Sequence, residues 1–349
     1  MKRNKILTAI LGIAVLSGII CSGMVIAQGI RTGAALTHNV SARKESVPQP
    51  WELEKRKLEA FSEISINLSY CNLSILPGDD YYLEYHMDGS CEKPEYKVSK
   101  GRFYFQEGNT QTKYRNGFHL FLNPPRYEPY YVNLYVPEKQ YFDLLELSND
   151  SGNVEIKEIQ AQNADIKIEY GNLDLGSFSG EKLSIDADSG NLESETITCD
   201  TLDISNEYGN ITGNTFQVSD KASITLDSGN LSLSKLEAGT LTVKDEYGNC
   251  SVEELKVKSS SISMDSGNID FNQAELGTTD ITSAYGDVSL VLTDSVSDYN
   301  YELHNEYGTV RLDGNRIKED DDGEIHYQKD NQKDNRIFIE CESGNINIR

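Results

Sequence analysis

The chain has 349 residues, with 56 Asp+Glu against 32 Lys+Arg and a formal net charge of −24 at pH 7. That charge repels a phosphate backbone and argues against a nucleic-acid partner. Hydrophobic residues at 38% against charged residues at 25% exclude a wholly disordered acidic chain, and 27 Gly with 20 Tyr fit a protein rich in strands and turns.

Lys2, Arg3 and Lys5 precede an uncharged, mostly apolar run from Ile6 to Ala27. A helix of that length spans a membrane, and the basic tip predicts an N-in, C-out orientation. Two expectations stand: a retained single-pass anchor with residues 1–5 in the cytoplasm, or a secretory signal cut after Val25-Ile26-Ala27. In both, the remaining chain lies outside the cytoplasm, tethered in the first case and secreted in the second. Residues 28–50 are polar, end in Val47-Pro48-Gln49-Pro50, and read as a linker.

Residues 51–145 read as an N-terminal cap with the first strands. Phe61 to Leu76 alternates apolar and polar residues around Tyr70-Cys71-Asn72, which stands where Tyr-Gly-Asn recurs further on. Cys in place of Gly marks a turn that is less strained or relaxed by an edge position. Tyr81–Tyr85, Arg102–Phe105 and Tyr131–Val136 continue as strands. The aromatic, proline-bearing insert Tyr114 to Tyr130 is the least regular piece and so a candidate for specific contact.

Residues 146–292 are governed by a repeat. A glycine preceded by Ser or Tyr and followed by Asn or Asp recurs at 152, 171, 190, 209, 229, 248, 267 and 286, at spacings of 19 with a single 20. Between these turns apolar residues alternate, as in Leu183 and Ile185 or Leu202 and Ile204. Nineteen residues cannot bury an independent core, so each unit must stack on its neighbours. The expected fold is all-β: a β-solenoid (β-helix) built as a single sheet stack of about 19-residue coils, preceded by one N-terminal transmembrane helix. Eight coils would extend roughly 38 Å. Ser and Tyr alternate before the glycine, so a 38-residue coil with the two on opposite edges is the competing arrangement.

Three columns follow from stacking. The first is the turn ladder Gly171-Asn172, Gly190-Asn191, Gly209-Asn210, Gly229-Asn230, Gly248-Asn249 and Gly267-Asn268, begun by Asn153 and closed by Asp287. Stacked amides satisfy one another and the turn backbone, so its role reads as structural. The second is acidic, Asp150, Glu169, Asp188, Glu207, Asp227, Glu246 and Asp265. Asp188, Glu207, Asp227, Glu246 and Asp265 are calcium candidates by donor chemistry, against a plainer reading as solvated edge carboxylates that keep sheets from sticking together. The third holds Tyr170, Tyr208, Tyr247 and Tyr285, which either cap the apolar edge of alternate coils or form a binding surface for a partner or a sugar ring.

Residues 293–349 return to the repeat at Glu306-Tyr307-Gly308 and Glu342-Ser343-Gly344-Asn345, around a hydrophilic insertion, residues 318–335, that reads as a mobile loop. Catalytic chemistry finds little footing. His38, His86, His119, His304 and His326 share no spacing, residues 146–292 contain neither His nor Arg, and no Cys-x-x-Cys pair supports zinc. No catalytic residue is nominated and no cofactor beyond the calcium candidates. Cys250 and Cys341 occupy apolar repeat positions, and a Cys71–Cys91 bridge is open.

The opening Ile-x-Ile-x-Leu strand, the Leu134-Tyr135-Val136-Pro137 strand, the serial Ser-Gly-Asn and Tyr-Gly-Asn turns and the closing Ser343-Gly344-Asn345-Ile346 resemble the bacterial putative-adhesin family of β-strand-repeat proteins, which includes LiaG-like envelope proteins. The resemblance covers nearly all of Phe61 to Arg349. It implies a membrane-tethered extracytoplasmic domain of the cell envelope and supplies no catalytic residues. The expected function is therefore a non-enzymatic adhesion or envelope-binding scaffold whose partner is an envelope protein or glycan. Its alternatives are an accessory of an envelope stress-response system and, behind both, a β-helix carbohydrate-active enzyme.

Overall fold

The computed structural model describes residues 49–109 and 130–349. The basic tip, the apolar run 6–27, most of the linker and residues 110–129, which hold all of the aromatic insert except Tyr130, lie outside the described residues. Among those described, no helix is long and apolar enough to cross a membrane.

The repeat folds as its period demands. Leu192–Tyr208 pairs in parallel with Leu173–Ser189 on one side and Ile211–Ser228 on the other, with Leu192 opposite Leu173 and Ile211. Partners thus lie 19 residues apart, and the 38-residue coil is ruled out because Ser189 stands beside Tyr208. The single 20-residue unit absorbs its extra residue as an irregularity between Val218 and Lys221.

Burial shows how one coil turns. In Leu192–Tyr208 the inward residues are Leu192 and Ser194, then Ile197 and Cys199, then Leu202, Ile204 and Asn206. Strict alternation fails at Glu195-Thr196 and Asp200-Thr201, where two successive residues face outward. Those slips let the chain bend without burying a polar side chain, and the Gly-Asn turn supplies the third bend, giving a coil of three straight runs. Stacked Leu, Ile and Val fill the interior. Size is balanced locally: fully buried Phe216 lies where a Cβ on Gly213 would stand only 2.5 Å from its ring.

Both ends are sealed. The first coil, Glu63–Leu68 and Asn72–Gly78, lies on Tyr141–Ser151 and Val154–Tyr170. Its outer side carries Arg102–Gln106 and Tyr131–Pro137 in parallel. Antiparallel strands follow, Glu95–Ser99 on the former, and Tyr82–Met87 then Trp51–Lys57 on the latter. The outermost strand bears Lys55, Arg56 and Lys57, charges that discourage another sheet from adding.

The C-terminal end departs from sequence order. Asn335–Ser343 lies between Ile269–Tyr285 and Tyr299–Tyr307, parallel to both. Ile346–Ile348 likewise separates Val288–Leu292 from Val310–Leu312. A late segment therefore fills the layer between two earlier ones. The expected loop 318–335 is only partly a loop, because Ile325–Lys329 forms an antiparallel edge strand on Tyr299–Tyr307, with Ile325 buried.

Candidate functional site: the turn edge

Every turn lies on one edge of the solenoid, and its chemistry begins with glycine. At Gly190 φ is +141°, and a Cβ would stand 1.8 Å from the Gly171 carbonyl oxygen, so neither the backbone angle nor the space admits a side chain. Cys71 occupies the first turn of the column and does not take a positive φ, in keeping with its edge position.

Asparagine binds the turns together. The Asn191 amide N–H donates to Asn172 Oδ1 at 2.9 Å, the Asn210 N–H to Asn191 Oδ1 at 3.0 Å, and so on from Asn72 to Asp287. Asp287 then accepts from both the N–H and Nδ2 of Asn345, and the Thr309 N–H ends the column on Asn345 Oδ1. The ladder is thus a structural clamp, as the residue type implies.

A second polar column was hidden among apolar positions, three residues before the turn glycine. Asn149, Asn206 and Asn305 are buried there, and each Nδ2 donates to the turn carbonyl of the adjacent layer: Cys71, Gly190 and Gly344 respectively. Asp245 holds the same position at 3% exposure, with neither oxygen in a well-formed hydrogen bond. Burial pushes its carboxyl up to about 6, only partly offset by the Tyr247 amide. The sequence signal was a polar residue interrupting an apolar period.

The exposed face of the edge carries tyrosine and serine. Reading layers in space, the order is Tyr70, Ser151, Tyr170, Ser189, Tyr208, Ser228, Tyr247, Ser266, Tyr285, Ser343, Tyr307. Alternation is unbroken over eleven layers. In sequence it fails, since Tyr285 is followed by Tyr307; the inserted strand places Ser343 between them. All six tyrosines are 58–72% exposed, so Tyr170, Tyr208, Tyr247 and Tyr285 do not cap the core, and Tyr70 and Tyr307 extend their row at both ends.

The carboxylates beside them form a column in which Asp188, Glu207, Glu246 and Asp265 are exposed and Asp227 is half-buried. Neither they nor any other three His, Cys, Asp or Glu side chains among the described residues converge as a metal site. The fold does bring His304 and His326 together, rings 5.0 Å apart, with Asp320 Oδ2 2.9 Å from His326 Nδ1. This pairing across strands has no counterpart in sequence spacing.

At the N-terminal end, the buried Glu107 accepts from the Ser69 and Tyr70 amides at 2.6 and 2.9 Å, closing the turn column where no further coil stacks. Two grooves lie away from the turn edge. One, about 650 Å³, is lined by Tyr96, Lys97 and Tyr104 on the cap. The other, about 570 Å³, follows a flank of the coils past Glu237, Lys256 and Glu275. There Lys256 stands between the two glutamates in register and pairs with Glu275 at 2.9 Å, an ion ladder rather than a poised acid and base. Cys71, Cys91, Cys199, Cys250 and Cys341 are all free thiols, with Cys199 and Cys250 pushed up to about 12 by burial.

Parallel coils of 19 or 20 residues, a recurring Gly-Asn turn and sealed ends define a β-solenoid repeat protein. A family model described as Toastrack DUF4097 matches residues 61–219 and 181–349, and the chain belongs to that family. Similar solved structures include a putative adhesin from Parabacteroides distasonis, 13% identical, with a TM-score of 0.47 over 69% of this chain and 97% of that one. A putative adhesin from Bacteroides fragilis is 10% identical, with a TM-score of 0.35 over 86% and 99%. A putative cell adhesion protein from Clostridium sporogenes is 12% identical, with a TM-score of 0.20 over the same shares. No protein of curated function matches the chain.

Proposed function

We propose that the protein is a non-enzymatic adhesion or scaffolding module of the cell envelope, tethered by residues 6–27 and binding its partner along the tyrosine edge. The observation that carries this reading is the exposed row itself. Six rigidly spaced tyrosines at 58–72% exposure serve no core, and tyrosine is favoured at binding surfaces for its broad, stiff, amphipathic ring. Reading the chain as non-enzymatic is supported by the ion-paired state of the flank groove and by a site chemistry made of turns, amides and exposed rings. The basic tip and apolar run support the tether, and the adhesin descriptions of structural neighbours are consistent with a surface role. A stress-response accessory would act through residues 6–27, which lie outside the described residues.

Sedimentation of the full chain with isolated cell envelopes, with and without Tyr208→Ala/Tyr247→Ala, tests the reading. Binding that drops about tenfold in the double variant is expected. Equal co-sedimentation of both proteins would sink it. For the tether, a membrane-impermeant label should reach the solenoid lysines in intact cells; protection of those lysines would refute an outward orientation.

A further inference from the structure

Resting on that reading, we infer that the tyrosine edge is a linear lattice for an extended β-1,4-linked glycan of 2-amino sugars, one disaccharide per tyrosine. Three features of the edge carry this.

The first is the spacer. Coils lie about 4.8 Å apart, so rings in successive layers would stack on one another and hide their faces. Serine in every second layer sets the tyrosines about 9.6 Å apart instead, beyond the usual separation of interacting rings. None of the six makes a ring–ring contact among the described residues. The alternation is kept even where the chain must thread Ser343 between Tyr285 and Tyr307. A rule that survives a change of chain order belongs to the surface.

The second is the period. In an extended β-1,4-linked glycan each sugar is flipped relative to the last, so the same face recurs once per disaccharide, a length closely matching two coils. An extended peptide does not match it, because a strand repeats a face every ~6.8 Å.

The third is charge. Glu169, Glu207, Glu246 and Glu306 immediately precede their tyrosines, and Asp150, Asp188, Asp227, Asp265 and Glu342 precede the serines. None of these carboxylates forms a salt bridge with a described residue. Uronic acids, phosphate polymers and a second copy of this acidic chain are repelled, whereas protonated sugar amines gain an attraction along the row, beside Tyr170, Tyr208, Tyr247 and Tyr307 above all.

The test is calorimetric titration of the full chain with β-1,4-linked glucosamine oligomers from dimer to octamer. Affinity is expected to rise with each added disaccharide and to gain little from an odd sugar. Tyr208→Ala/Tyr247→Ala should weaken the octamer about tenfold or more, and Tyr208→Trp/Tyr247→Trp should retain it, so that a loss cannot be blamed on misfolding. Added salt and N-acetylation of the oligomer should each weaken binding. Equal affinity for the acetylated octamer would overturn the assignment of amino sugars. If no oligomer binds while the envelopes still capture the chain through Tyr208 and Tyr247, the glycan is wrong and the binding edge stands. Loss of tyrosine dependence in both assays removes both.

Discussion

Among single residues, Asp245 carries the sharpest energetic consequence. Its folded pKa, raised to about 6, exceeds the ordinary carboxylate value, so between roughly pH 4 and pH 6 the folded state holds a proton that the unfolded chain releases. Stability from this group is therefore fullest at low pH, declines as pH rises through that window, and stays reduced above it by about 3 kcal/mol. Asp245→Asn should remove the penalty, because an amide there can donate to the Gly229 carbonyl as Asn206 does to that of Gly190. Thermal melts at pH 4.5 and 7.5 check this: the variant should gain at pH 7.5 and little at pH 4.5. An equal gain at both would refute a protonation effect. Gly190→Ala should act in the opposite sense and cost about 3 kcal/mol or more, since backbone stands where the methyl must go. At this scale the sequence was eloquent wherever chemistry leaves one choice. Gly-Asn at the turns declared itself, whereas Asp245 looked like any other acidic residue of the strand until its position was seen to point inward.

At the scale of the element, a coil is an open strand edge until something ends it, and the N-terminal coil is ended by one side chain. Glu107 accepts the two amides that another layer would have accepted. Glu107→Ala should destabilise the cap by about 1–2 kcal/mol, and Glu107→Gln, which keeps a carbonyl, by less. Amide exchange at Ser69 and Tyr70 reads this directly; unchanged protection in the alanine variant would show that Glu107 does not seal the edge. The 19-residue coil was legible because hydrophobic alternation and turn chemistry recur at one spacing. Glu107 was not, because a cap makes its contact some 37 residues away in sequence and once only. The strand Ile325–Lys329 escaped for a related reason: a short, polar edge strand buries Ile325 and exposes most of the rest, so its composition is that of a loop.

For the molecule as a whole, stability rests on stacked layers, and no three His, Cys, Asp or Glu side chains among the described residues converge as a metal site. Removing divalent ions with a chelator should leave the melting temperature unchanged, and a drop of several degrees would restore calcium to the carboxylate column. Removing residues 335–349 should be costly, but locally. The edges of Ile269–Tyr285 and Tyr299–Tyr307 would lose their shared partner, and exchange protection should collapse around them while Val154–Tyr247 keeps its own. Protection preserved at both edges would contradict the inserted layer. That layer was not legible from spacing, although the sequence held a clue in two consecutive Tyr turns where the rule asks for Ser between. Its position also fixes an order of winding. The layer beside Tyr285 is made of residues translated after those of the layer beyond it, so Tyr299–Leu312 cannot settle against its final neighbour when it leaves the ribosome. The solenoid winds coil by coil only as far as Tyr285, and then waits for a later strand to slip in. Once in place, that strand acts as a latch: residues 335–348 cannot fray as a free edge, because they are held on both sides.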